Sequence, residues 1–216
     1  MRFPVVATGL LLGFLARAAT SGGAGSANRA VRVTSPAEGL KAIRSKLFTD
    51  NHKKSLKVKR KHKVAVLVPC AQTKPFPDAP SHAHGYLPAL KGLSVDTYVV
   101  SEPLGVVPYS WSRTYPNFAY DFPPKHLTGA AREALVERIR EWLTKVGAKY
   151  TRLVAALPAH HAALLRDAAK GLDLDIVDAS ITRCRAAKCS KTDFRATSNA
   201  YKAWLRSLVK RTVAKT

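Results

Sequence analysis

Between Pro69 and His82 the chain gathers a thiol, an ammonium, a carboxylate, a hydroxyl and an imidazole, on Cys70, Lys74, Asp78, Ser81 and His82. A thiolate is a strong nucleophile, and a nearby ammonium or imidazolium favours it over the thiol. Cys70 is therefore a candidate nucleophile; the alternative is a small buried residue closing a strand, the commoner state of a free cysteine. Lys74 is a candidate anchor for a phosphate or carboxylate, or a solvated lysine. His82 is a candidate proton donor, or a histidine that only packs. A second segment, Ser101 to Pro108, continues through Tyr115-Pro116 to Tyr120-Asp121 and carries two more carboxylates, Glu102 and Asp121. A carboxylate accepts two N–H donors side by side, so either suits an edge with paired donors. The plainer readings are a turn former before Pro123 for Asp121 and a solvated loop residue for Glu102. Ser101 either bonds substrate or shapes the turn, and Phe76 either stacks on a flat ring or packs in the core.

Both segments follow candidate strands. Val64 to Val68 is a continuous apolar run, the pattern of a strand buried on both faces, as in a parallel sheet. Val95 to Val100 is a second strand, rich in β-formers although it carries Asp96. The spacing predicts a helix over Thr128–Val146, a strand over Arg152–Leu157, a helix over Ala159–Ala169 and a strand over Leu174–Val177. It ends in a helix over Ser198–Val213 with Ala200, Trp204, Leu205, Leu208 and Val209 inward. This alternation specifies an α/β sandwich on a mostly parallel sheet. Ligands bind such sheets beyond the carboxyl ends of the strands, where the two segments lie. Their prolines stiffen them, and long stiff loops without secondary structure are usually functional.

The chain of 216 residues carries 36 Lys+Arg against 14 Asp+Glu, a formal charge of +22, yet is 46% hydrophobic. That supports one core plus extensions and points to a polyanionic partner, nucleic acid before an anionic membrane. Three scattered cysteines do not make a disulfide framework. Residues 1–37 contain no acid and read as a secretory signal, an organellar transit peptide or a plain tail, which leaves the compartment open. The apolar run Phe3–Ala16 is short of the roughly 20 residues of a spanning helix, so no stable membrane insertion is expected. Residues 38–63 read as a basic linker. It contains one amphipathic helix, Ala37–Phe48, and a flexible arm whose Lys53, Lys54, Lys57, Lys59, Arg60 and Lys61 are candidate phosphate contacts, or a solvated tract. Residues 64–216 form the α/β domain. No Gly-rich phosphate loop is present. Cys184 and Cys189 lack a following His pair, and His160-His161 reads as a helix start, so neither metal nor cofactor is expected.

Pro69-Cys70, then Lys74-Pro75-Phe76, then His82 resembles the signature of the archaeosine synthase core domain, with Phe76 in place of its Tyr and Ala79 in place of its Ser. Ser101–Gly105 followed by Tyr120-Asp121 resembles a second segment of that domain, and the likeness runs from about Val64 to Leu172. The resemblance implies a three-layer fold related to uracil-DNA glycosylases. It implies addition of an amine such as lysine to the nitrile of a 7-cyano-7-deazaguanine base in tRNA or another nucleic acid, with a partner enzyme completing the modification. Under it, Cys70, Lys74, His82 and Asp121 are the catalytic candidates. Phe76, Ser81, Ser101, Glu102 and Gly105 are the substrate-binding candidates. A pocket-bearing binding module without activity is the alternative.

Overall fold

A computed structural model describes residues 30–186 and 195–216. The readings of residues 1–29, and that of Cys189, lie outside the described residues. In chain order the elements are β1 (Val31–Arg32), α1 (Pro36–Arg44), α2 (Lys46–Ser55), β2 (Val64–Pro69), α3 (Leu87–Leu90), β3 (Val95–Ser101), β4 (Gly105–Pro108) and β5 (Tyr120–Asp121). They continue with α4 (Gly129–Lys145), β6 (Arg152–Ala155), α5 (Ala159–Ala169), β7 (Ile176–Asp178), α6 (Ile181–Ala186) and α7 (Asn199–Ala214). Five strands form one sheet in the order β4-β3-β2-β6-β7, parallel except for β4. Helices flank it, giving the expected three-layer α/β sandwich. β2 is central and every one of its residues is buried, which is why its sequence shows no polar alternation.

The connection after β2 leads to α3, which packs on α7, whereas the connection after β6 leads to α5, which packs on α4. Neighbouring strands whose connections leave toward different helix layers open a crevice between their carboxyl ends. Register aligns three chain segments there. Pro69 pairs with Val100, the Cys70 N–H donates to the Val100 carbonyl at 2.9 Å, and Ala156 N–H donates to Leu67 at 2.9 Å.

The lead-in differs from the expected linker. Ala37–Phe48 is not one helix: Ser45 ends α1 and caps α2, its hydroxyl accepting the Phe48 N–H at 3.4 Å. Serine competes for backbone hydrogen bonds and favours such caps over helix interiors. Ile43 and Phe48 enter the main core. The flexible arm is docked: Arg60 donates to the Lys149 carbonyl, and the backbone N–H groups of Lys61 and His62 donate to Asp96 at 2.8 and 3.2 Å. That bonding gives Asp96 its place in a strand of β-formers. In α7 the buried seam is Tyr201, Leu205, Val209 and Thr212. Tyr201, absent from the expected inward set, is buried and its hydroxyl donates to the Ala179 carbonyl at 2.8 Å, while Trp204 and Leu208 are partly buried against the core. Among the described residues no helix is long and apolar enough to cross a membrane.

The segment after β3 is no open loop. It turns through Glu102–Leu104 and returns as antiparallel β4, Ser101 facing Gly105. Gly105 has φ +81°, and a Cβ there would stand 2.7 Å from Arg138 Cγ. The nearly buried Arg138 donates to the Pro103 carbonyl at 2.7 Å, to the Ile43 carbonyl at 2.7 Å and to Thr49 Oγ1 at 3.1 Å. Gly105, expected to bind substrate, instead lets this guanidinium lie against the turn. Gly105→Ala is expected to cost on the order of 2–3 kcal/mol in urea unfolding. Gly171→Ala, at φ +76° with nothing within 4 Å, is expected to cost only about 1 kcal/mol. Equal losses at the two positions would mean that the Arg138 contact contributes nothing.

Candidate active site

Three side chains meet above the crevice. Cys70 leaves the end of β2, Glu102 opens the turn after β3, and His161 sits in the first turn of α5, after β6. Cys70 Sγ lies 3.6 Å from Glu102 Oε2 and 3.7 Å from His161 Nε2, and the latter two atoms are 3.4 Å apart. Glu102 and His161 are both 2% exposed, whereas Cys70 is half-buried and faces a cleft of about 380 Å³. Glu102 Oε1 and His161 Nδ1 are buried and have no hydrogen-bond partner among the described residues. Burial pushes the carboxyl of Glu102 toward neutrality, but the hydrogen bond and charge of His161 outweigh it and hold its pKa below the ordinary value. Burial likewise pushes His161 down, and the hydrogen bonds and charges of Cys70 and Glu102 reverse that and raise it.

The cleft is also lined by Lys74, Tyr120, Asp121, Phe122 and His160, with Pro69, Pro123, Pro124 and Pro158 at its walls. Lys74 is half-buried, donates to the Ala71 carbonyl at 3.3 Å and places Nζ 4.2 Å from the centroid of the Tyr120 ring. Desolvation lowers its pKa, against the opposing pull of Cys70, Asp121 and Glu102. Asp121 is exposed at the mouth, 3.8 Å from Arg32 of β1. The structure thus brings Cys70, Lys74, Glu102 and Asp121 together, with the two carboxylates unlike: Glu102 deep beside the sulfur, Asp121 at the rim.

The other expected site residues stand elsewhere. His82 is fully buried and packs among Phe76, Tyr86 and Tyr109, sharing a 3.0 Å hydrogen bond with the Tyr109 hydroxyl. Burial pushes its pKa down to about 4, against a weaker upward pull from the Pro69 carbonyl, so it is a neutral packing residue and no proton donor in the cleft. Phe76 is fully buried in the same cluster and does not line the cleft. Ser81 lies half-buried beside it. Ser101 is buried and bonds the Tyr120 hydroxyl, supporting the cleft wall from behind. Lys53 and Lys54 end α2, and Lys57, Lys59, Arg60 and Lys61 precede β2. β2 is six residues long, so at roughly 3.3 Å per residue this basic loop stands roughly 17–20 Å from Cys70, at the opposite end of the sheet. It forms no rim to the cleft.

His161 is the functional residue the sequence reading missed. The signal was available: it follows a recognised strand at its carboxyl end, by the same rule that singled out the other two segments.

A family model described as a domain of unknown function (DUF5591) matches residues 46–197. Among solved structures, the crystal structure of AF0587, described as a protein of unknown function, is similar with a TM-score of 0.51 and 15% identity. The match covers 74% of this chain and 49% of that one, so this chain spans about half its length, and the likeness is one of fold. No curated protein matches the chain.

The His82 environment makes a testable statement about stability. Its folded pKa lies below the ordinary 6.5, so the stabilisation from holding it neutral is complete above that value and is lost as pH falls toward about 4. At about 1.4 kcal/mol per unit, the loss amounts to about 3 kcal/mol. His82→Gln does not titrate there. Denaturation at about pH 7 and about pH 4.5 should show wild type losing that amount relative to the variant; a constant difference would refute the assignment.

Proposed function

We propose that this chain, which belongs to the DUF5591 family, is an enzyme that adds an amine across the nitrile of a 7-cyano-7-deazaguanine base, using Cys70 as nucleophile. One observation carries the reading. A half-exposed thiol lies within 3.7 Å of both a buried imidazole and a buried carboxylate, at a cleft of ligand size. The resemblance of the Cys70–His82 and Ser101–Asp121 segments to the archaeosine synthase core supplies the substrate.

The Cys70 proton passes to the His161–Glu102 pair, and the sulfur adds to the nitrile carbon. The pair returns the proton to the nitrile nitrogen, giving a thioimidate. A neutral amine, such as that of lysine, adds to the same carbon, the C–S bond breaks, and the proton from the amine nitrogen restores the thiol. The net product is an amidine. Asp121 accepts the paired N–H donors of the guanine-like edge at the mouth, and Lys74 and Tyr120 form a wall against the ring. A partner enzyme would complete the modification.

Support against the inactive binding module comes from where the two departures from the family signature fall. Phe76 is fully buried and Ala79 is 2% exposed, and neither lines the cleft. Neither replacement alters the surface that would meet substrate.

Incubation with nitrile-bearing tRNA and lysine should shift the mass of the modified nucleoside by that of one lysine. With the base alone, a thioimidate should appear on Cys70 in the intact-protein mass. Cys70→Ala should abolish both, and His161→Asn should slow turnover by on the order of 100-fold or more. A protein that binds the tRNA but shifts no mass with any amine is the inactive module.

A further inference from the structure

We propose that Cys70, Glu102 and His161 also form a three-ligand site for a thiophilic divalent ion, Zn²⁺ first. Occupancy of this site competes with nucleophilic use of Cys70. The proposal concerns the same side chains as the activity above but does not rest on it, since metal binding needs no nitrile.

The distances are those a tetrahedral zinc would set. Zn–S of about 2.3 Å with Zn–N and Zn–O of about 2.0–2.2 Å places S···N and S···O about 3.6 Å apart and N···O about 3.4 Å apart. The three atoms stand 3.7, 3.6 and 3.4 Å apart. All are ligand atoms of a type zinc accepts, and they form a compact cluster. Cys70 and Glu102 directly follow the paired strands β2 and β3, and His161 lies in the first turn of α5, so regular elements hold all three.

Charge supports the same ion. A thiolate and a carboxylate neutralise a divalent cation, leaving a site of no net charge where Glu102 and His161 are buried, and a thiolate selects zinc over magnesium or calcium. Binding expels to solvent the protons held by Cys70 and His161, which frees the sulfur and the Nε2 lone pair for the ion. The fourth position faces the cleft on the Cys70 side, the three-plus-one arrangement of open zinc sites. Glu102 Oε1 is buried without a hydrogen-bond partner, so no competing bond ties up the second oxygen of the carboxylate. Coordination draws charge off the sulfur and ties up His161 and Glu102, so attack on carbon slows while the ion is bound.

The test uses the full chain, freed of metal by chelation, with Zn²⁺ or Co²⁺ alone as the probe. Equimolar Zn²⁺ should slow alkylation of Cys70, read by peptide mass, by on the order of 10-fold or more, a measurement that needs no variant. Co²⁺ should give thiolate-to-metal charge-transfer absorption that is lost in Cys70→Ser. His161→Asn and Glu102→Gln should each weaken binding by on the order of 10-fold or more. Unchanged Cys70 alkylation with excess Zn²⁺, or an absorption that persists in Cys70→Ser, overturns the site. No nitrile is present, so either outcome is read separately from success or failure of thioimidate formation.

Discussion

A carboxylate that is 2% exposed sets the terms for one whole end of this molecule. An ion taken out of water loses several kcal/mol of solvation unless charge and hydrogen bonds replace it. For Glu102 they come from His161 and Cys70, on segments that precede and follow it by tens of residues. They reach it only because β2 is central, with β3 on one side and β6 on the other. A slip in the register of either strand pair would leave the carboxylate buried and alone. The same arrangement keeps a sulfur beside an imidazole at the floor of a cleft, so what makes the buried acid tolerable also makes the sulfur chemically competent.

The fold was largely legible in the sequence. β2 and β3 declared themselves through apolar, β-branched runs, α4 through three- and four-residue spacing ended near Gly147, and α5 through a short run stopped near Gly171. What stayed hidden depended on partners distant in sequence. β4 exists because Gly105 reaches a positive φ and Arg138 holds the turn, and nothing in Ser101–Pro108 announces an arginine more than thirty residues on. The break at Ser45 is a local signal, a serine within a helical pattern, that the spacing of Leu40, Ile43 and Leu47 overrode.

The site was legible by half, for similar reasons. Cys70, Lys74, Glu102 and Asp121 were found because each lies on a segment leaving the carboxyl end of a recognised strand. His82 has the same pedigree and the same suggestive chemistry, yet Phe76, Tyr86 and Tyr109 close around it, and burial of an aromatic cluster decides over motif. His161 reads as an ordinary helix start although it too follows the carboxyl end of a recognised strand, and only the pairing of β6 with β2 brings it to Cys70. The basic tract reads as a phosphate-binding arm from its charge alone, and charge carries no information about which end of the sheet the tract occupies.

The Arg138 guanidinium ties together parts that composition had separated. It binds the carbonyl behind Glu102, and it also binds the carbonyl of Ile43 and the hydroxyl of Thr49 in the lysine-rich lead-in. A chain trimmed to begin at Val64, where the charge runs stop, would strip this cation of two of its three acceptors within an apolar interior. The positively charged leader is therefore no removable handle. It is a buttress for the acid at the heart of the cleft, and mechanical slack introduced at one would be felt at the other.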